Sequence, residues 1–161
     1  LTTAREIFLR YAQAMADGDA VAAAACYTDD GVLDFPFWPR LGLTPRYQGR
    51  PALEAYLSTL LVLVPGFEFI DIDVHIDTPD AMFAEFRVDK LTNTARRFNF
   101  HYGGLVLAVD GKMKLLREFI DQVPAAIALL PNGIADICDE NPSVRSLGDR
   151  EGERRRRLGT C

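Results

Sequence analysis

Ile70-Asp71-Ile72-Asp73-Val74-His75-Ile76-Asp77 alternates apolar and polar side chains over eight positions without a break. A period of two places Ile70, Ile72, Val74 and Ile76 on one face of a strand and Asp71, Asp73, His75 and Asp77 on the other. The predicted strand covers 67–77. Thr78-Pro79-Asp80 then turns the chain, and residues 81–91 return as a second strand. A turn over 92–96 leads to a long strand over 97–109. Asp110-Gly111 is a strong two-residue hairpin signal, and the last strand follows over 112–120. This half of the chain therefore reads as an antiparallel meander.

Working outward, the N-terminal half reads as helical. Thr3 and Glu6 stand three apart, as a capping box requires. Behind them Ile7, Phe8, Tyr11 and Met15 recur at helical spacing. Gly18 predicts a stop, and Asp19 caps an Ala-rich second helix through Tyr27. Thr28-Asp29-Asp30-Gly31 reads as a turn, followed by a short strand over 32–35 that Pro36 and Pro39 break. The Pro-rich stretch 35–47 holds Phe37 and Trp38, the sole Trp, and is expected to close one side of a pocket. Gly49-Arg50-Pro51 opens a third helix, with Leu53, Tyr56, Leu57, Leu60 and Leu61 as its apolar face and Pro65-Gly66 at its end. Pro124 starts a short helix that Pro131-Asn132-Gly133 stops. Residues 134–161 carry six acidic and six basic residues, end in Arg154-Arg155-Arg156-Arg157 and have low apolar content. They are expected to form a disordered tail behind one domain over residues 1–133.

The balance of the 161 residues, 48% hydrophobic and 25% charged, is that of a soluble globular chain. A net charge of −5 argues against a nucleic-acid partner. No apolar run is long enough for a membrane span, and Leu1-Thr2-Thr3-Ala4-Arg5 lacks a signal-peptide pattern, so the expected location is cytoplasmic. Cys26, Cys138 and Cys161 fit no zinc or redox spacing and read as free thiols. Neither His75 nor His101 has metal-ligand spacing, and no phosphate-binding Gly-rich loop appears. No metal and no other cofactor is expected.

Glu85-Phe86-Arg87-Val88-Asp89 and Arg117-Glu118-Phe119 bring charge into two strands. Arg87 and Asp89 share one side of their strand, and Phe86 and Val88 share the other. If the charged side faces a pocket, Arg87 can hold Asp89 and Glu118 together as an acid–base pair. If it faces solvent, Phe86 and Val88 are the core side. A regular two-residue loop at Asp110-Gly111 sets Glu118 opposite Gly103, on the face of His101. A bulge at Gly103-Gly104 instead sets it on the face of Phe100 and Tyr102. Asp34 and His101 are therefore secondary catalytic candidates.

The order of elements resembles the nuclear transport factor 2-like fold over roughly residues 3–133. The resemblance implies an α+β domain whose curved antiparallel sheet wraps around N-terminal helices to form a cone-shaped pocket. Tyr27-Thr28-Asp29-Asp30-Gly31 and Gly49-Arg50-Pro51-Ala52-Leu53 resemble the SnoaL-like branch. Glu85–Asp89 with Phe98-Asn99, Gly104, Asp110-Gly111-Lys112 and Leu116-Arg117-Glu118-Phe119 is similar to limonene epoxide hydrolases. That resemblance implies cofactor-free epoxide opening. Glu118 would activate water, Asp89 would protonate the epoxide oxygen and Arg87 would orient both. Leu33 and Phe35 stand where that family holds its water with Tyr and Asn. The ketosteroid isomerase pattern would set its catalytic aspartate at Phe35.

The expected activity is acid–base chemistry on a small hydrophobic molecule in an enclosed pocket, most specifically epoxide hydrolysis. A SnoaL-like polyketide cyclase or ketosteroid isomerase-like isomerase is the alternative, and a non-catalytic ligand-binding protein is the third. The pocket wall is expected to comprise Tyr11, Met15, Trp38, Tyr56, Leu91, Phe100, Tyr102 and Ile120. A homodimer is expected, packed through the outer sheet face with Phe86 and Val88 supplying apolar surface.

Overall fold

A computed structural model describes residues 2–137. The expected tail therefore lies outside the described residues, except for a 3-10 turn at Gly133–Asp136. Helix α1 (Ala4–Ala16) starts at the capping box: the Thr3 hydroxyl accepts from the Glu6 amide, and the Glu6 carboxylate accepts from the Thr3 amide. Gly18 leaves the helix at φ +73°, a conformation that costs glycine little. Helix α2 (Ala20–Ala25) is capped by the Asp19 carboxylate. It is shorter than predicted, because Tyr27 already belongs to strand β1 (Tyr27–Asp34). A 3-10 turn at Trp38–Leu41 and a short strand β2 (Arg46–Gln48) lead into helix α3 (Arg50–Leu63). Strands β3 (Ile70–Asp77), β4 (Ala81–Leu91), β5 (Arg97–Val109) and β6 (Lys112–Ile120) follow, and helix α4 (Gln122–Leu129) closes the fold.

The six strands form one sheet in the order β2-β1-β6-β5-β4-β3. The meander over β3 to β6 is antiparallel as expected. Strand β1, however, runs parallel to β6, so the sheet is mixed. The long segment between β1 and β6, which holds β2, α3 and the strands β3 to β5, supplies the extended connection that a parallel pair requires.

The inner face of the sheet is apolar along the central strands β4 and β5. Met82, Ala84, Phe86 and Val88 of β4 and Phe98, Phe100, Tyr102 and Val106 of β5 are buried. They pack with Ile7, Phe8, Tyr11 and Met15 of α1 in one continuous core. Phe8 lies 5.2 Å from Phe86, ring centre to ring centre.

One irregularity decides what the inner face carries. Asp110 and Gly111 both have positive φ, as a two-residue hairpin turn requires. Val109 then pairs with Lys112 and Ala108 with Met113, but Leu107 pairs with Leu115. Lys114 is thus an extra residue on β6, a bulge that reverses the side-chain parity of everything after it. Met113 faces inward before it, and Leu116, Glu118 and Ile120 face inward after it. The irregular stretch of β1 between Tyr27 and Val32 lies alongside. An ion pair from Lys114 to Asp30 joins the two irregular segments. The ammonium and the Thr28 hydroxyl hold the Asp30 carboxyl below its ordinary range.

Candidate functional site

A cavity of about 370 Å³ opens between the inner sheet face and the helices. Half of the residues that line it are aromatic. One wall comes from the β1 end, the 3-10 turn, β2 and α3. There Phe35 and Trp38 stack at 3.8 Å and 7°, and Tyr47 and Tyr56 stack at 4.1 Å. The facing wall comes from β5 and the segment before β3. Phe98 stacks on Phe100 at 3.8 Å, and Phe69 meets Tyr102 edge-on at 5.7 Å. Tyr11 of α1 and Ile120 of β6 complete the lining, with Leu129 of α4 at its border. Helix α4 is held at both ends. Gln122 donates to the Phe37 carbonyl at 2.9 Å, and the Arg96 guanidinium donates to the carbonyls of Leu130 and Pro131.

Among the described residues, Glu118 is the single carboxylate on this lining, and no Lys, Arg or His shares it. The bulge at Lys114 puts it there, opposite Gly104 across the β5–β6 pair. Gly104 in turn admits the Phe86 ring: a Cβ at position 104 would sit 2.5 Å from Phe86 Cε1. Glu118 is 5% exposed, and its Oε1 has no hydrogen-bond partner among the described residues. Burial alone pushes its carboxyl up to about 8, because removal from water penalises the charged form. The phenols of Tyr56 and Tyr102 are raised well above 10, first by burial and then by the Glu118 charge. They remain neutral O–H donors at any physiological pH. Trp38 Nε1 is a second buried polar atom on this lining without a partner.

The expected convergence of Arg87, Asp89 and Glu118 does not occur. Phe86 and Val88 take the inner positions of β4, so Arg87 and Asp89 lie on the outer face. Arg87 donates to Asp71 from Nε at 2.8 Å, and Asp89 pairs with Arg97 at 3.3 Å. The physical reason is side-chain parity: only an apolar residue at 86 and 88 can face α1 and the aromatic core without burying an ion pair. The same finding removes Phe86 and Val88 as the apolar outer surface of a dimer.

Of the other expected residues, Tyr11, Trp38, Tyr56, Phe100, Tyr102 and Ile120 do surround the cavity. Met15 is fully buried against other core residues and does not line it. Leu91 is more than half exposed, near the far end of β4. Asp34 is buried but points to the other face of β1, where Arg117 holds it at 2.7 Å. His101 is exposed on the outer face. Sequence reading missed Tyr47, Phe67, Phe69 and Phe98 as lining residues. Phe98 was accessible to it, because Phe98, Phe100 and Tyr102 form one parity series.

A family model for the SnoaL-like domain matches residues 8–115. The chain belongs to this SnoaL-like family. Among solved structures, the SnoaL-like domain superposes with a TM-score of 0.70 on a candidate isomerase from Bacillus subtilis, at 20% identity over 78% of this chain and 91% of that one. A candidate polyketide cyclase from Pseudomonas putida matches with a TM-score of 0.64, at 18% identity over 75% and 93%. A protein with a ketosteroid isomerase-like fold from Catenulispora acidiphila, in complex with trimethylamine, matches with a TM-score of 0.65, at 12% identity over 79% and 93%. These likenesses establish the nuclear transport factor 2-like fold. No curated protein matches the chain. Glu118 lies three positions beyond the end of the family match, and no helix among the described residues is long and apolar enough to cross a membrane.

Proposed function

We propose that this SnoaL-like domain is a cofactor-free acid–base enzyme of the isomerase or cyclase type, with Glu118 moving a proton on a small apolar substrate. The observation that carries the reading is one unpartnered carboxylate buried in an aromatic cavity. Such a group costs stability and adds nothing to packing, which suits a chemical role better than a structural one.

In this reading Glu118, as carboxylate, takes a proton from a carbon beside the substrate carbonyl. The C–H electron pair moves into the adjacent bond, and charge develops on the carbonyl oxygen. Neutral N–H and O–H donors on the lining, Trp38 Nε1 and the Tyr56 and Tyr102 hydroxyls, are suited to stabilise that oxygen. Glu118 then returns the proton to a different carbon, which gives an isomer, or the carbanion attacks a second carbonyl, which closes a ring, and the alkoxide formed as that C=O π bond breaks takes the proton back from Glu118. A positioned base of this kind contributes about 10²–10⁴-fold. Because burial raises the carboxyl to about 8, the basic form gains population as pH rises through that value.

Epoxide hydrolysis is supported less well. It needs a second acid beside the leaving oxygen and a held water. Among the described residues the cavity has one carboxylate, and Leu33 and Phe35 line the place of the water. The test is a small cyclic β,γ-unsaturated ketone in deuterium oxide. Deuterium in the ketone and growth of conjugated-enone absorbance support the reading. Glu118→Gln should lose both while its circular dichroism is unchanged. Labelled diol from an epoxide in ¹⁸O-water, with no carbon exchange, would reverse the choice.

A further inference from the structure

The lining of the cavity has a charge character that the proton-transfer reading leaves unused. Among the described residues, all of its ionisable side chains are tyrosines except Glu118, so the one formal charge they bring is negative. Two cations that precede Glu118 on β6 are committed elsewhere. Arg117 points to the other sheet face and holds Asp34 at 2.7 Å, and Lys114 pairs with Asp30. The same lining carries aromatic rings from both walls, including Trp38, Tyr47, Tyr56 and Tyr102, of which Tyr56 and Tyr102 feel the Glu118 charge. Aromatic faces attract an organic cation, most strongly when water is excluded. An unpaired buried carboxylate requires a counter-charge to be stable as an anion.

We infer that the preferred ligand of this cavity is a small organic cation with an apolar body, a protonated or quaternary amine, whose charged nitrogen pairs with Glu118 inside the aromatic lining. The inference rests on the placement of Glu118 used above but not on any chemistry. It also completes that chemistry: a bound cation favours the carboxylate over the acid, so the substrate itself would switch the base on. The groups facing Glu118 are the phenols of Tyr11 on α1, Tyr27 on β1, Tyr56 on α3 and Tyr102 on β5. None of them competes for the role of counter-ion, since all are raised by burial and stay neutral. Below a carboxyl value of about 8, binding a fixed cation must release a proton. Affinity should therefore fall about tenfold for each pH unit below it.

Trp38 is the only tryptophan of the chain and lines the cavity, so its emission reports occupancy directly. The probes are benzyltrimethylammonium and its neutral isostere, 2,2-dimethylpropylbenzene, titrated at pH 6 and pH 9. The cation should bind at least tenfold more tightly than the isostere at pH 9 and lose that advantage at pH 6. Glu118→Gln should bind both probes alike at both pH values. Equal or tighter binding of the neutral probe at pH 9 overturns the inference, as does a cation preference that survives in Glu118→Gln. Deuterium exchange separates this from the enzymatic reading. Cation preference without exchange of any carbon-bound proton removes the catalysis and keeps the site. Exchange on neutral ketones with no cation preference does the reverse.

Discussion

Replacing Glu118 by Gln should abolish a pH dependence of stability that this one side chain creates. The carboxyl titrates at the usual 4.5 when the chain is unfolded and at about 8 when it is folded. Folding thus favours the protonated form. Below about pH 4.5 both states hold the proton, and the group contributes no penalty. As pH rises further the unfolded chain ionises freely, while the folded one must keep its proton. Stability then falls by about 1.4 kcal/mol per pH unit and levels off once the folded carboxyl itself ionises. The accumulated loss is about 3 kcal/mol at pH 7 and about 5 kcal/mol above pH 9. That is a large share of the roughly 5–15 kcal/mol by which a domain is stable. Gln keeps the shape and cannot ionise. Urea unfolding of both proteins between pH 4 and pH 10 isolates the effect, because every other titrating group cancels in the difference. The difference curve should rise across pH 5–8 in favour of Glu118→Gln and be flat beyond. Parallel stability curves would mean that Glu118 is hydrated or paired, and both the site and the ligand inference would lose their basis.

Three further outcomes follow from particular contacts. Gly104→Ala places a methyl 2.5 Å from Phe86 Cε1, so it should cost about 1–3 kcal/mol by overpacking; an unchanged thermal midpoint would show that the ring is free to move. Arg87→Ala and Asp89→Asn alter partly exposed surface pairs, so each should change stability by under about 1 kcal/mol and leave proton exchange at substrate carbon intact; a collapse of turnover in either would restore them to the site. Arg96→Met removes the donor to the carbonyls at the end of α4; a loss of about 1–3 kcal/mol should be accompanied by faster amide exchange across α4, and unchanged exchange would mean that the helix is held by packing alone.

The fold was legible in the sequence because its signals are local. The Thr3–Glu6 capping box, the stop at Gly18 and the turn at Asp110-Gly111 each act within a few residues, and each appears where expected. The strand at β3 also appears, but its strict alternation does not hold, because Asp71 at φ +52° and two register shifts against β4 set Ile70 opposite Arg87 and Ile76 opposite Phe83. The parallel pairing of β1 with β6 was not legible. It joins segments some eighty residues apart, and the Thr28–Gly31 stretch that reads as a free turn is absorbed as an irregular part of β1. Aromatic lining residues were found where parity or helical spacing marks them, as in Tyr11, Tyr56, Phe100 and Tyr102. Phe67 and Phe69 were not, because the predicted strand over 67–77 gives them the parity of Asp71 and Asp73, whereas β3 begins only at Ile70.

The charged residues show why a motif and a site can part company. Arg87 and Asp89 were assigned to the pocket because they match a family pattern, yet that assignment required Phe86 and Val88 to lie on the outer face of the sheet. The core has no substitute for them. Phe86 packs against Phe8, Phe69 and Tyr102, and its ring fills the space that Gly104 leaves. Parity on β4 is therefore fixed by apolar burial, and the ion pairs are pushed outward. On β6 the same rule operates with one extra residue. Met113 is an inner residue, and strict alternation from it would send Arg117 inward and Glu118 outward. The adjacent pair Leu115-Leu116 marks the break in that alternation, but neither says which residue is spare. The spare one is Lys114, and what stabilises it in that position is Asp30, brought close only by the parallel strand. The single carboxylate of the cavity thus owes its place to a long-range contact on the far side of the sheet. A sequence window around Glu118 contains the residue but not the bulge that turns it inward.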